Sequence, residues 1–298
     1  MFVWGITMRE KITDKISKIR CYNKKWFNRF IVMLEECGVE RSVINKAVKL
    51  IMDDDNKYAP TMGNWGVFLN NPTIDRKIEN FFTYMEQLAL DKGTDEFRAM
   101  LERVIFGVEK NFLDLKESNE KITTNFFNLV MRQLLLENPQ DAILIDTNDK
   151  EQAYGGRLDL VLGGVSVGHV SFGEESSDQQ LVVFDDFRTL PGLEKMGIGS
   201  HLFRGLCKKV MEEKPGYSIA AWGVMKGRDG EKAYIAWGGL PVASISDIAE
   251  GRILTSEEYD NAPRSLIYYF TNDIVRENAI KENNRYGTKK SKHDYMGE

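Results

Sequence analysis

The feature that most limits what this chain can fold into is a change of hydrophobic period at Asn138-Pro139. Before that dipeptide apolar residues recur every three or four positions, the spacing of one helix face; after it they alternate or run together, as in strands. A residue preceding proline is pushed out of helical backbone geometry, so the last helix of the first part ends there. The chain divides into an all-α N-terminal region, 1–138, a mixed α/β region, 139–275, and a charged C-terminal tail, 276–298.

In the first region Ile12, Ile16, Ile19, Trp26, Phe30, Met33 and Cys37 stand four, three or seven apart, which predicts a helix over 8–37 with Asn23 in its one gap. Such a seam packs inside a bundle of this chain, or pairs with another subunit or protein partner, with Asn23 setting register. Gly38 suits a helix stop, and Ile44, Val48 and Ile51 mark a second helix over 39–52. Residues 53–71, with Asp53-Asp54-Asp55-Asn56, Pro60 and turn residues around Trp65, read as a loop. The acidic run lacks the glycine turn of a calcium loop and has no histidine nearby, so it reads as a solvated helix end, and no metal is expected. Helices over 73–90, 94–116 and 122–137 follow, with Thr73 and Thr94 where N-caps belong.

In the second region strands are expected over 142–146, 158–162 and 165–172, the last two joined by Gly163-Gly164 as a tight hairpin. From Leu181 to Met211 an apolar strand passes through a glycine turn into a helix carried by Ile198, Leu202, Leu206 and Val210. The first turn of a helix has N–H groups without intrahelical acceptors and partial positive charge, so this turn is a phosphate cradle in outline. A strand over 217–224, a helix over 231–237 and a strand over 265–270 complete the pattern, and the last twenty or so residues read as frayed.

Composition narrows the classes. With 42% hydrophobic and 29% charged residues, the chain buries a real core. A net charge of −5 gives no footprint for nucleic acid, despite locally basic residues from Lys281 to Lys292. Cys21, Cys37 and Cys207 are odd in number and lack CxxC spacing, which fits reduced thiols in the cytoplasm. The opening MFVWGITMREK has too short an apolar run for an export signal, and no stretch reaches the length of a membrane span.

The order hairpin, long strand, Gly-x-Gly turn, helix, strand, helix, strand over roughly 140–272 resembles the GNAT superfamily of acyl-CoA-dependent N-acetyltransferases. Pro191-Gly192-Leu193-Glu194-Lys195-Met196-Gly197-Ile198-Gly199-Ser200 fits the frame of that family's phosphate loop. GGVSVGHVSFG is similar to its second and third strands, and AYIAWGGLP to its fourth helix and the turn after it. The resemblance implies a mostly antiparallel mixed sheet with flanking helices. It implies acetyl-CoA as co-substrate, with the backbone of Lys195, Met196, Gly197, Ile198, Gly199 and Ser200 on the pyrophosphate and that of Thr189 on the pantetheine arm. An amine acceptor, a small molecule or a protein, would attack the thioester directly, and Tyr234 would protonate the departing thiolate. For the proton that leaves the amine, the adjacent Asp185 and Asp186 point to opposite strand faces; Asp185 is taken as the cleft residue, with His169 and His201 as other conceivable bases.

Three departures stand beside the likeness. Glu194 occupies the position where the family carries Arg or Gln, an acid next to the diphosphate. Gly238-Gly239 leaves the fourth helix ambiguous by one residue, and the other register puts Ile235 where the tyrosine belongs. Little chain lies between the strands at Ala142 and Leu158, where the family has two helices forming the acceptor wall. Acetyl transfer is the first functional reading; a catalytically weakened GNAT-like domain serving as a structural or interaction module is the second.

Overall fold

The computed structural model describes residues 24–58, 73–117, 126–147, 156–176, 179–281 and 285–287. By Cα packing it forms two compact units. One contains helices α1 (Lys24–Glu36), α2 (Arg41–Tyr58), α3 (Thr73–Lys92), α4 (Thr94–Glu117) and α5 (Phe126–Glu137), with residues 162–165 and 191–193. Its core is aromatic: the Trp26 indole stacks on Phe30 at 4.8 Å and meets Phe81 at 5.4 Å. The expected seam is corrected in detail. The buried face of α1 is Trp26, Phe27, Phe30, Ile31 and Leu34, a helical stripe, while Met33 and Cys37 are half-buried. Residues 8–23 of the expected first helix lie outside the described residues. The loop expected from Asp53 is also corrected, because α2 continues through Asp53-Asp54-Asp55 to Tyr58; no proline or glycine interrupts it before Pro60.

The other unit is a mixed α/β fold around a seven-stranded sheet of order β1-β2-β3-β4-β5-β7-β6 among the described residues. The strands are β1 (Ile143–Asp146), β2 (Gly156–Leu162), β3 (Val165–Ser176), β4 (Leu181–Thr189), β5 (Ser218–Met225), β6 (Leu240–Val242) and β7 (Ser265–Phe270). β4 runs parallel to β5, and the long connection this demands is supplied by α6 (Ile198–Glu213). The β1–β2, β3–β4, β5–β7 and β6–β7 pairs are antiparallel. α7 (Asp229–Ala236) follows β5; α8 (Ile245–Ala249), α9 (Ser256–Asn261) and α10 (Asn272–Ile280) were not signalled by the apolar pattern, nor was β6. They are too short to show a period.

Two irregularities shape the centre of the sheet. Ser171 faces Asp186 and Phe172 faces Phe184, so Asp185 is an extra residue in β4, a bulge. Pairing between β4 and β5 then stops at Phe184–Ala221, although β4 continues to Thr189 and β5 to Met225. A second irregularity between Ala221 and Val224, with Gly223 at φ 69°, bends β5 as well.

One face of this sheet is covered by α6, which buries Leu202, Phe203, Leu206, Cys207 and Val210. Phe203 stacks on Trp237 at 4.6 Å and lies 4.6 Å from Phe270 of β7. The frayed end expected from sequence is also corrected where it is described. Tyr286 is 3% exposed, its hydroxyl donates to Met196 O, and Gly287 N–H donates to Ala142 O at 2.8 Å. One buried aromatic ring, its hydroxyl and one backbone N–H hold residues 286 and 287; residues 282–284 and those beyond Gly287 lie outside the described ones. No helix among the described residues is long and apolar enough to cross a membrane.

Phe203 carries the contacts that join α6, Trp237 and β7. Phe203→Ala is expected to destabilise the protein by about 3–5 kcal/mol, whereas Leu90→Ala, at a position 78% exposed, should stay within roughly 0.5 kcal/mol. Urea unfolding measures both; comparable midpoints for the two variants would contradict this account of the core.

Candidate functional site

The site begins where β4 leaves β5. Leu190 N–H donates to Val167 O at 2.9 Å. Backbone direction alternates along an antiparallel ladder, so Arg188 and Asp186 also turn their peptide groups to β3. Phe187 and Thr189 therefore turn theirs the other way, into the gap left by β5. A gap lined by strand N–H and C=O groups can pair with an extended, amide-bearing ligand.

The turn after β4 closes one end of this gap. Gly192, Lys195 and Gly197 have φ of 90°, 61° and 83°, and Gly197 is the left-handed N-cap of α6. His201 N–H is the first to bond back, to Gly197 O at 3.1 Å, so Ile198, Gly199 and Ser200 present the N–H groups of the first turn. Met196 is buried, while Glu194, Lys195 and Gly197 are exposed. Glycine matters differently at the two positions of the turn. Gly197 needs its positive φ; Gly199 does not, and a Cβ there would meet Phe187 at 3.4 Å and Trp237 at 3.6 Å, ordinary contacts. Ser200 is partly engaged, since the Trp237 indole N–H donates to its Oγ at 3.1 Å. Near this loop stands Arg285, whose Nη1 is 3.9 Å from the point a Cβ on Gly197 would occupy. Its charge opposes that of Glu194.

Tyr234 projects from α7 onto the same sheet face as α6. Its ring is 5.8 Å from Phe184, 6.5 Å from Phe187 and stacked at 6.0 Å on Tyr268. Ile235, the residue of the other register, is 54% exposed and points away. Burial pushes the Tyr234 phenol up to about 12, which keeps it protonated at neutral pH. The direction of α7 is fixed by Glu231, 4% exposed, which accepts from Tyr268 Oη at 2.6 Å, Tyr259 Oη at 2.7 Å and Gly227 N–H. Burial drives this carboxyl up, and the two hydroxyls, Gly227 N–H and the nearby Lys226 outweigh it, so Glu231 stays ionised.

Asp185 is the bulged residue itself. Its neighbour Asp186 faces β3, where Oδ2 meets His169 Nε2 at 3.0 Å and Oδ1 meets Arg188 Nε at 2.6 Å. Burial raises the Asp186 carboxyl, but His169 and Arg188 together hold it below the usual range. Two adjacent aspartates in an apolar strand are the sequence signal of the bulge; the pairing with His169 depends on register and has none. His201 lies apart from the gap. It is 8% exposed, its Nε2 has no partner among the described residues, and its ring is 5.1 Å from Tyr286. Trp237 and Glu231, which position the site, went unmarked because a half-buried indole and a helix-start glutamate are commonplace in sequence.

No family model and no curated protein matches the sequence. Solved structures similar in fold to a segment of the chain are GNAT acetyltransferases. One is a GNAT acetyltransferase from Staphylococcus aureus, 14% identical, covering 58% of this chain and 94% of its own, at a TM-score of 0.31. Another is the PaiA N-acetyltransferase of Thermoplasma acidophilum in complex with coenzyme A, 10% identical, covering 55% of this chain and 79% of its own, at 0.28. A chimeric spermidine N-acetyltransferase from Vibrio cholerae is 12% identical, covering 58% and 92%, at 0.33. At such identities the likeness is one of fold.

Gly197→Ala should cost about 1–2 kcal/mol because alanine resists left-handed backbone geometry, while Gly199→Ala, inside the helix, should be neutral or gain up to about 1 kcal/mol. Equal thermal shifts for the two would refute this distinction between the glycines. His201 yields a pH prediction. Burial first, and the Arg204 charge second, lower its imidazole from 6.5 to about 4. Within that window the unfolded chain takes up the proton and the folded chain does not, so stability falls as pH drops from 6.5 and levels off below about 4. The slope approaches roughly 1.4 kcal/mol per pH unit. His201→Gln should remove that contribution in denaturant titrations across the window; unchanged slopes would mean the imidazole charges freely in the fold.

Proposed function

We propose that the α/β region, 139–275, transfers an acetyl group from acetyl-CoA to an amine by direct attack on the thioester. The observation that carries this reading is the gap after Phe184–Ala221, lined by the outward-turned peptides of Phe187 and Thr189 and ending at the exposed first turn of α6. In it the diphosphate lies on the N–H groups of the loop from Lys195 to Ser200, helped by Lys195 and Arg285, and the pantetheine amides pair with β4 near Thr189. The Phe187 N–H is directed at the oxyanion that forms on the thioester carbonyl. Tyr234, neutral and half-buried, supplies the proton to sulfur. Asp185, the bulged residue of β4, is kept as a candidate for the proton leaving the amine. The co-substrate chemistry, a cytoplasmic location for a chain with unpaired cysteines, and a helical region, 1–138, that serves self-association or a protein partner belong to the same reading.

A second reading is favoured by Glu194, an exposed acid beside the anion site. In it the fold is a weakened GNAT-like module whose helical region makes the contacts.

Calorimetry with acetyl-CoA separates the two. The first reading expects saturable binding, at least tenfold weaker in Gly197→Glu than in Gly197→Ala, a difference of about 1.4 kcal/mol; the alanine variant controls for backbone strain. It also expects Tyr234→Phe to lose on the order of 100-fold in kcat with affinity retained. Absence of any binding by the wild-type chain at millimolar acetyl-CoA leaves only the module.

A further inference from the structure

The two faces of the sheet differ beside the gap. On the face of α6 and α7 lie Phe184, Phe187 and Tyr234. Residues alternate across a strand, so Asp186 and Arg188 project from the other face, as does His169, which meets Asp186 across the β3–β4 pair. On β5 and β7, Ala221 pairs with Tyr268, and Tyr268 stacks on Tyr234. Trp222 and Ile267, one residue along, therefore belong to the same far face as His169.

An open groove of about 440 Å³ is lined by Trp222, Gly223, Ile245, Ser246, Ser265, Leu266 and Ile267, with Trp222, Ser265 and Ile267 contributed from that face. No lining residue is charged, and Trp222 is 39% exposed at its edge. Trp222 directly follows Ala221, the last β5 residue paired to β4, so the groove reaches the end of β5 that borders the gap. The His169–Asp186 pair flanks the gap from the β4 side, with Arg188 and, on β2, the Arg157–Asp159 pair as the other charges on that face. With Nε2 donating to the Asp186 carboxylate, the remaining ring nitrogen, Nδ1, has an open lone pair and makes no hydrogen bond among the described residues.

We infer that the acceptor is a primary amine on an uncharged apolar or aromatic body, seated against Trp222 and Ile267, with His169 taking its proton. This deepens the acetyl-transfer reading and rests on it. The amine lone pair forms the C–N bond at the thioester carbonyl from the far face. The ammonium so formed gives one proton to His169 Nδ1. The C–S bond breaks as the intermediate collapses, and the thiolate takes its proton from Tyr234 on the near face. The amide and the free thiol leave, and solvent restores both side chains. Acid and base stand on opposite faces, so neither neutralises the other. A polyamine finds no carboxylate in the groove for its second charge.

The test uses the full chain with acetyl-CoA, with 2-phenylethylamine as probe and spermidine as control, following thiol release. Expected are a kcat/KM for 2-phenylethylamine at least tenfold above that for spermidine, and a KM raised at least tenfold by Trp222→Ala with kcat within twofold. Trp222→Phe should restore most of the affinity. His169→Gln should lower kcat on the order of 100-fold and remove the acid limb of the kcat/KM–pH profile, with KM little changed. Preference for spermidine, or an unchanged KM in Trp222→Ala, overturns the groove assignment; an intact acid limb in His169→Gln overturns that of the base. Direct binding of 2-phenylethylamine, read by calorimetry, keeps the inference separable from the acetyl-transfer reading. If acetyl-CoA fails to bind while the amine binds the wild type and not Trp222→Ala, acetyl transfer falls and the amine groove stands. If the amine binds neither, the groove falls whatever acetyl-CoA does.

Discussion

The candidate site in the α/β unit depends on two parallel strands being kept from pairing along their full length. Strand edges normally satisfy each other, and unpaired peptide groups facing a narrow gap are costly unless water or a ligand answers them. Here the extra residue at Asp185 shifts the phase of β4, and the irregularity before Val224 turns β5 away. The parting is held by packing: Phe184 is 6.2 Å from Phe203, which stacks on Trp237 and lies tilted against Phe270. An aromatic wedge of this kind fills the near face with rigid rings, so the gap cannot collapse without breaking the core.

The buried charges follow the same logic of fixing direction. Glu231 is answered by two tyrosine hydroxyls and a backbone N–H and ties α7 to β7 and α9. Asp159, 4% exposed, is answered by a bidentate Arg157 at 2.8 and 2.9 Å and by Thr147 and Ser166. Lys209, 3% exposed, bridges α6 to Asp146 of β1 at 2.6 Å. Each would be destabilising alone; paired, each specifies one orientation of one element. The polar positions thus set the angles at which the apolar core meets.

Much of this was legible in the order of residues. The Leu181–Met211 stretch forms the strand, turn and helix its spacing predicts, with Gly197 as the left-handed cap. The switch of period at Asn138-Pro139 falls one element before β1. Less legible were the short pieces, β6, α8 and α9, which span too few residues for a period, and the end of α2, where an acidic run looked like loop but stayed helical. Tyr286 was hidden for another reason. A lone aromatic in a charged tail carries no pattern, and only its pocket beside His201 and Met196 makes it part of the core.

By itself the sequence determined the class of fold, because hydrophobic period and turn chemistry are local properties read over a few residues. It determined too that an anion would find N–H groups at the start of α6, since that follows from helix geometry alone. Only the tertiary structure decided which register α7 adopts, that Asp186 meets His169 across β3 and β4, and that Tyr234 and Trp222 belong to opposite faces of the sheet. Those relations join strands far apart in the chain through register and bulge, and a single extra residue in β4 reverses which side chain faces which way.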